Sequence, residues 1–209
     1  KEEGIEAYAK HQQENEHVVL DPGVGFTLVK KLLKLNSKKT PIDVILLSRN
    51  SADTGLRIFN SIEHYGLNIS RAAFTRGEST HPFVGAFEAD LFLSSNYNDV
   101  QKALQSGYAA ASIVESKSNN SHPSQLRIAF DGDAVIFSDE AERIFQEKGL
   151  EAFHKNEVLS EKIELKAGPF KSFLVSLQKI QSTFPEENNP IRTALVTARS
   201  APSHKRVIH

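Results

Sequence analysis

The sequence predicts an α/β fold in which a mostly parallel sheet is covered by helices on both faces. Two observations support this prediction: strand-length apolar runs alternate with amphipathic helical segments, and one α/β pattern occurs twice along the chain. Alternating strands and helices favour parallel pairing, because each helix carries the chain back to the same edge of the sheet. We therefore expect two related α/β units.

The first copy of the pattern opens with a helix containing the letters EAY, followed by a glycine-containing turn. A second helix is predicted at residues 24–35, where apolar residues recur at helical spacing. A strand rich in Ile, Val and Leu comes next, at residues 42–52. The following segments alternate as helix 54–65, strand 72–75, helix 81–87, strand 90–94, helix 97–106 and strand 109–114.

The internal duplication aligns residues 2–36 with residues 147–181 at a constant offset, and then residues 42–52 with residues 191–201 after a short insertion. A run of identities at fixed offset, followed by a matching strand, favours a repeated structural unit. The identities are Gly4 with Gly149, Glu6 with Glu151, Ala7 with Ala152, Lys10 with Lys155, Leu20 with Leu165, Gly23 with Gly168 and Leu32 with Leu177.

The two copies set the predicted domain boundaries. Residues 1–115 form a first unit that lacks its first strand, and residues 126–209 form a second unit that is incomplete at its C-terminal end. The second unit opens with the strand at 126–137, which has no counterpart in the first. Residues 116–125 are polar and predict a linker.

The composition excludes several classes of function. The 209 residues carry a formal net charge of −1, which argues against bulk attraction to nucleic acid or to an anionic membrane. The absence of cysteine excludes disulfides and thiolate metal sites. The apolar runs have the length of strands rather than of membrane spans, so we expect a cytoplasmic protein. The eight histidines lack paired spacing, which argues against zinc.

The segment IAFDGDAV, at residues 128–135, is the most informative in the chain. An apolar strand brings Asp131 and Asp133 to the turn at its carboxyl end, where open parallel sheets bind ligands. A bound Mg²⁺ would compensate the two carboxylates, since it takes oxygen ligands and shares its shell with phosphate. One carboxylate can attack phosphorus, and the other can protonate the leaving oxygen and then activate water. For the letters DGD alone, an acidic turn or a Ca²⁺-type loop is the alternative.

A second apolar strand ends in the letters LVTARS, at residues 195–200. Thr197 can bind a phosphate oxygen there, together with the backbone N–H groups of Ala198 and Arg199 at the start of a predicted helix. The alternative is that Thr197 is simply an N-cap. Combined with the DGD turn, this segment predicts a phosphate-binding group.

These two motifs, in this order, resemble those of the haloacid dehalogenase-like (HAD) phosphatase superfamily. The stretches AFDGDAVIFSDEAERIFQEKGLEAF, PIRTALVTARSA and FNSIEHYGLNISRAAFTRG extend the resemblance to the cytosolic type I 5′-nucleotidases. The resemblance implies two Rossmann-like HAD units with helical cap-like insertions and Mg²⁺-dependent hydrolysis of nucleoside monophosphates, notably AMP and IMP. It also implies that Asp131 is the nucleophile, that Asp133 is the general acid and base, and that Thr197 binds the phosphoryl group. The metal would be held by the Asp131 side chain and the Asp133 backbone carbonyl.

The third-motif lysine and fourth-motif aspartate pair of that family would follow the LVTARS strand, beyond the last residue of this sequence. The first copy contains the corresponding positions without the chemistry: Thr80 stands for the lysine, and Ser94, Ser95 and Asn96 stand for Asp-Asp-Gln. The first copy therefore resembles a degenerate unit.

The first copy is expected to be either a scaffold for packing the second unit or part of a nucleotide or effector pocket. Ser48 corresponds to Thr197, so Ser48, Arg49 and Asn50 are the candidates for a substrate or effector pocket. The Arg49 guanidinium suits phosphate, although an exposed, solvated arginine is an equal alternative.

Residues 139–181 separate the two motifs and are predicted to be largely helical, as a cap would be. Phe137, Phe145 and Phe153 are candidates for stacking on a base, although phenylalanines at helical spacing more often belong to a core.

The predicted function is hydrolysis of nucleoside 5′-monophosphates through an aspartyl-phosphate intermediate. The alternatives are a nucleotide-binding chain without turnover and a HAD phosphatase that acts on another small phosphorylated metabolite. The expected partner is a small nucleotide, with neither nucleic acid nor membrane, and the sequence leaves a homo-oligomer open.

Overall fold

The computed structural model of the chain describes residues 4–114, 124–201 and 203–208. Most of the predicted linker lies outside these residues. The α-helices are α1 (Gly4–Glu14), α2 (Phe26–Leu35), α3 (Leu56–His64), α4 (Pro82–Ala86), α5 (Tyr97–Gln105), α6 (Glu140–Leu159), α7 (Lys171–Gln181) and α8 (Lys205–Ile208). The strands are β1 (Ile45–Ser48), β2 (Arg71–Phe74), β3 (Phe92–Ser94), β4 (Ala110–Ser112), β5 (Leu126–Asp131) and β6 (Ile191–Val196).

The described strands pair in three two-stranded sheets: β1 with β2, β3 with β4, and β5 with β6. The β1–β2 and β5–β6 pairs are parallel. The α/β class with parallel pairing is thus as predicted and is compatible with a Rossmann-like fold. Most strands are shorter than the segments predicted for them.

The chain divides into two compact units. The first unit comprises Lys1–Ala89, Leu93–Ala103 and Ala111–Ser124, and the second comprises Asp90–Phe92, Leu104–Ala110 and Gln125–His209. The buried apolar residues of the first unit are Val84, Val100 and Ala103. In the second unit, the buried apolar residues are Phe92, Ala109, Ala110, Leu126, Phe130, Ala141, Leu177 and Ile191.

Helix α6 is broken at Gly149, where φ is 80° and the helix changes direction. Only glycine adopts this left-handed conformation without steric cost. The segment after the break, together with α7, β6 and α8, repeats the order of α1, α2, β1 and α3. Gly4, which begins α1, also has a positive φ, of 87°.

Strand β5 ends at Asp131 rather than at the predicted residue 137. Residues Gly132–Ile136 instead form a single π-type turn, closed by a hydrogen bond of 2.9 Å from Phe137 N to Gly132 O. The apolar letters AVIF belong to this turn and to the residue after it, which explains why periodicity alone extended the strand.

Within the residues that the structure describes, no helix combines the length and the apolar character that crossing a membrane requires.

Candidate functional site

Strand β5 ends in the first of the two predicted catalytic carboxylates. In the parallel β5–β6 ladder, Asp131 is the partner of Val196, so Thr197 begins at the same edge of the sheet. A Cβ built on Gly132 would lie 3.6 Å from the Thr197 Cβ. The Asp131 side chain is exposed, and its Oδ1 accepts a hydrogen bond of 2.7 Å from Gly132 N. The structure thus brings the two sequence motifs together.

The turn after Asp131 contains an unusual backbone conformation. Asp133 is extended, with φ −75° and ψ 137°, whereas Ala134 has φ 60° and ψ 4°. A non-glycine residue in this left-handed region costs about 1 kcal/mol. Strain of this kind persists where the surrounding structure fixes the chain, and it is concentrated at functional sites.

Gly168 fixes the turn from behind. Its N–H donates to Ile136 O at 2.7 Å, and Phe170 N donates to Val135 O at 3.2 Å. A Cβ at residue 168 would lie 2.3 Å from Val135 O and 2.4 Å from Phe137 O. Only glycine allows the two backbone segments to approach so closely.

The second predicted carboxylate, Asp133, forms a two-point ion pair with Arg199. The Nε of Arg199 donates to Asp133 Oδ2 at 3.0 Å, and its Nη2 donates to Oδ1 at 2.6 Å. The Asp133 side chain is 25% exposed and that of Arg199 is 2% exposed. The planar guanidinium fork therefore fixes the carboxylate while leaving one side of it open to solvent.

Arg199 is held in turn by Glu157, whose side chain is fully buried. Arg199 Nη1 donates to Glu157 Oε2, and Arg206 Nη1 donates to Glu157 Oε1 at 2.9 Å. Burial acts to lower the pKa of Arg199, but its hydrogen bonds and attraction to Asp133 and Glu157 raise that pKa above the usual value. The result is a continuous charged chain, Asp133–Arg199–Glu157–Arg206.

The sequence interpretation did not include Glu157 and Arg206. Each is a single charged residue in a helical segment, a pattern that normally indicates a solvated face. In the predicted internal alignment, Glu157 and Arg206 correspond to Gln12 and Arg57 of the first copy, both of which can hydrogen-bond.

The predicted phosphate-binding residues Thr197, Ala198 and Arg199 lie in the irregular segment after β6. The helix expected there begins only at Lys205, so the N–H groups of Ala198 and Arg199 do not lie at a helix N-terminus. Instead, Arg199 N donates to Thr197 Oγ1 at 3.2 Å. Thr197 stays half-buried beside the Asp131 turn, but Arg199 directs its side chain to carboxylates.

In the first unit, Ser48 and Asn50 repeat this turn, with Asn50 N donating to Ser48 Oγ at 3.2 Å. Arg49, between them, binds Asp99, to which Ser79 and Thr80 also donate. Burial acts to raise the pKa of Asp99, but the hydrogen bonds from Arg49 and Ser79 outweigh it and lower that pKa to about 2. The groups predicted to receive an anion therefore already hold an internal carboxylate.

Ser94 and Asn96 lie beside this cluster. Asn96 N donates to Ser94 Oγ at 3.0 Å, and Asn96 Oδ1 accepts from Asp99 N at 3.1 Å. Ser94 and Asn96, which were predicted to stand for the first aspartate and the glutamine of Asp-Asp-Gln, thus form a hydrogen-bonded turn in this unit.

The donor chemistry at Asp131 and Asp133 fits Mg²⁺, because an exposed carboxylate and a backbone carbonyl are both oxygen ligands and the ion keeps waters or phosphate in its shell. Within the described ranges, no group of three or more His, Asp or Glu side chains is arranged to hold a metal.

The three candidate stacking rings differ in environment. The Arg199 guanidinium lies over the Phe153 ring, 5.6 Å from its centroid, which is a cation–π distance. Phe137 forms an antiparallel bridge with Ala167, whereas Phe145 is 44% exposed. Phe153 is thus part of the support of Arg199.

Comparison with known proteins gives one family. A family model described as 5′-nucleotidase matches residues 1–209. The chain is 39% identical over 215 residues to the human (Homo sapiens) protein named Cytosolic 5′-nucleotidase 1B, an alignment that covers 97% of this chain and 35% of that protein. The chain thus spans about a third of the length of this relative. No solved structure matches it significantly. Since the family match covers the whole chain and agrees with the motif pair at the β5–β6 edge, the chain belongs to the 5′-nucleotidase family.

Proposed function

We propose that this chain contributes the nucleophile, the general acid and base and part of the phosphate site to a Mg²⁺-dependent 5′-nucleotidase that acts on nucleoside 5′-monophosphates such as AMP and IMP. The observation that carries the proposal is the exposed Asp131 carboxylate at the carboxyl end of β5, beside Thr197 at the end of β6. This edge is where parallel α/β sheets bind ligands. The family, and the name of the human relative, support the reaction class.

In the proposed reaction, an Asp131 carboxylate oxygen attacks phosphorus as the bond from phosphorus to the nucleoside 5′-oxygen breaks. Asp133 gives its proton to that leaving oxygen. Asp133 then takes a proton from water, whose oxygen attacks phosphorus and releases inorganic phosphate and the Asp131 carboxylate. Each oxygen of Asp133 has a second lone pair, so Asp133 can bind Arg199 and still face the substrate.

Mg²⁺ would be held by the Asp131 carboxylate and the Asp133 backbone carbonyl, and it would neutralise charge on the phosphoryl oxygens. Thr197 Oγ1 would donate a hydrogen bond to one of those oxygens. The Thr197 hydroxyl hydrogen must then point toward the phosphate. This is compatible with the hydrogen bond that Thr197 Oγ1 accepts from Arg199 N. An oriented donor at developing charge favours the transition state.

The test is phosphate release from AMP and IMP by the full-length protein that carries this chain, with Mg²⁺ and with excess EDTA. We expect release with Mg²⁺ and a loss of at least about a hundredfold with EDTA, because the metal supplies charge neutralisation. Equal rates under both conditions would overturn the metal assignment. Faster release from sugar phosphates than from any nucleotide would overturn the substrate class.

A further inference from the structure

The Arg206–Glu157 pair of the second unit has a counterpart in the first, Arg57–Gln12, in which a neutral amide takes the place of the carboxylate. In the second unit, Arg206 donates from Nη1 to Glu157 Oε1 at 2.9 Å and from Nε to Ile163 O at 2.9 Å. In the first unit, Arg57 donates from Nη1 to Gln12 Oε1 at 3.2 Å and from Nε to Val18 O at 2.8 Å. The two arginines use the same atoms on the same kinds of acceptor.

These contacts join positions that the duplication aligns. Gln12 and Val18 align with Glu157 and Ile163 at the constant offset of the first segment, and Arg57 aligns with Arg206 when the strand alignment is extended. The contacts of this arginine therefore need an oxygen acceptor on the helix, but not a negative charge, because the Gln12 amide oxygen accepts the same hydrogen bond as the Glu157 carboxylate.

A second pair of aligned positions also has a neutral residue in the first unit and a charged residue in the second. Asn50 aligns with Arg199, and Tyr8 aligns with Phe153. In the first unit, Asn50 Nδ2 donates to the Tyr8 hydroxyl at 3.2 Å, whereas in the second unit Arg199 lies over Phe153. Two neutral residues of the first unit are thus replaced by an arginine and a glutamate in the unit that contains the Asp-Gly-Asp turn.

A buried charge needs a reason, because burying an ion pair often stabilises a protein no more than neutral packing of similar volume. Glu157 is fully buried and Arg199 is 2% exposed. The first unit makes the corresponding arginine contacts without the charges of Glu157 and Arg199. We therefore look for the role of these charges in a group that lies beside them only in the second unit. That group is Asp133, which receives both ends of the Arg199 fork.

We propose that Arg199, fixed from behind by Glu157, is the positioning residue that orients the Asp133 carboxylate for proton transfer to the leaving nucleoside oxygen. The inference rests on the proposed function. Glu157 and Phe153 fix the guanidinium plane, and the guanidinium fixes the carboxylate plane through two hydrogen bonds. A rotation of Asp133 then requires both bonds to break. Arg199 and Glu157 act through Asp133 and contact no reacting atom.

The test uses Glu157→Gln and Arg199→Asn, which introduce the residues found at the aligned positions of the first unit, in the full-length protein. Each is assayed on AMP and on aryl phosphates whose phenols leave without a proton, using those that the unmodified protein hydrolyses. The readout is kcat/KM, because it reports the steps up to departure of the leaving group and not the later attack of water.

We expect Glu157→Gln to lower kcat/KM for AMP by about 10- to 100-fold, within the range that general acid catalysis contributes. The same variant should lower kcat/KM for the most activated aryl phosphate by less than about threefold, because that leaving group needs no acid. Arg199→Asn should give the same selectivity with a larger loss on AMP. Thermal unfolding of both variants checks folding, and either folded variant suffices for the comparison.

Equal losses on AMP and on the activated aryl phosphate would overturn the positioning role and leave only a structural one. Unchanged kcat/KM on AMP in a folded variant would also overturn it. If the unmodified protein releases phosphate from neither substrate class, the proposed function itself fails, and the positioning role fails with it.

Discussion

Arg49 and Asp99 form a two-point ion pair in the first unit, with Arg49 Nε 3.0 Å from Asp99 Oδ2 and Nη2 2.9 Å from Oδ1. The Asp99 side chain is 1% exposed, whereas that of Arg49 is 40% exposed. Asp99 also accepts hydrogen bonds from the hydroxyls of Ser79 and Thr80. A buried carboxylate thus holds the cation and hydroxyls that the sequence offered as an anion pocket, so a phosphate could bind there only by displacing it.

This arrangement predicts a pH-dependent contribution to stability. The folded-state pKa of Asp99, about 2, lies below its usual value of 3.8. The contribution is therefore fully present above about pH 5 and is lost as the pH falls through 4 toward 2. We expect Asp99→Asn to lower the free energy of unfolding by about 2 kcal/mol at pH 7. The measurement is denaturant unfolding of both proteins between pH 7 and pH 3, where the difference should shrink.

Asp43→Asn is the matched control, because Asp43 also pairs with an arginine, Arg71, but both side chains are nearly half exposed. Exposed ion pairs contribute little, so this variant should lower stability by less than about 1 kcal/mol. A difference between wild type and Asp99→Asn that stays constant from pH 7 to pH 3 would contradict the assignment to the ionised carboxylate.

The sequence predicted the class of the fold and the position of most elements, because helix periodicity and strand composition are local signals. It overestimated strand lengths, most clearly at β5, where the chain turns after Asp131 into a π-type turn. That turn depends on Gly168, which is distant in sequence and whose close approach no local pattern reveals. The last three residues of β6 are apolar, yet Leu195 is 44% exposed and Val196 is 57% exposed, so an apolar run alone did not predict burial.

For the site, the sequence predicted residues that could carry chemistry but not the residues that contact them. Asp131, Asp133 and Thr197 were predicted because strand-terminal carboxylates and hydroxyls form recognisable motifs. Glu157 and Arg206 were missed because a buried charge looks like a surface charge until its partner is known. Only the tertiary structure pairs them, and their roles remain predictions.

Gly168→Ala should destabilise the second unit and disturb the Asp131 turn. The added methyl group would lie 2.3 Å from Val135 O and 2.4 Å from Phe137 O, so backbone has to move. Overpacking of this kind costs about 1–3 kcal/mol. We expect a loss of that size in the free energy of unfolding, measured with denaturant, and a loss of phosphatase activity in the fraction that remains folded.

Gly23→Ala is the control, since Gly23 aligns with Gly168 but a Cβ there would meet nothing within 4 Å. This variant should change the free energy of unfolding by less than about 1 kcal/mol. Equal effects of the two substitutions would show that the close approach behind the turn does not constrain it.

Arg206→Ala should destabilise the protein more than Arg57→Ala, although the two arginines make corresponding contacts. Arg206 is 3% exposed and binds the buried Glu157 carboxylate, so its removal leaves a buried charge with one cation fewer. We expect a loss of about 3 kcal/mol. Arg57 binds the neutral Gln12, and its removal should cost about 1 kcal/mol. The free energies of unfolding of both variants are measured with denaturant. Similar losses would contradict a larger contribution of the Arg206–Glu157 pair than of the Arg57–Gln12 pair.

Asp131→Asn should abolish turnover while leaving the fold intact. Asp131 is exposed, and the hydrogen bond that its Oδ1 accepts from Gly132 N is preserved by the amide oxygen of asparagine. The amide is not a nucleophile toward phosphorus, so phosphate release from AMP should fall by at least about a thousandfold. The free energy of unfolding, measured by thermal unfolding, should change by less than about 1 kcal/mol. This separates a chemical effect from a folding defect.

The control for this substitution is Asp139→Asn, which makes the same chemical change eight residues further along the chain. Asp139 is 59% exposed and pairs only weakly with Arg143, at 3.4 Å. Its removal should leave phosphate release within about twofold of the parent, because exposed pairs of this type contribute little. If Asp131→Asn were as active as Asp139→Asn, the nucleophile would have to be another residue. The position of Asp131 beside Thr197 would then reflect only where the two paired strands end.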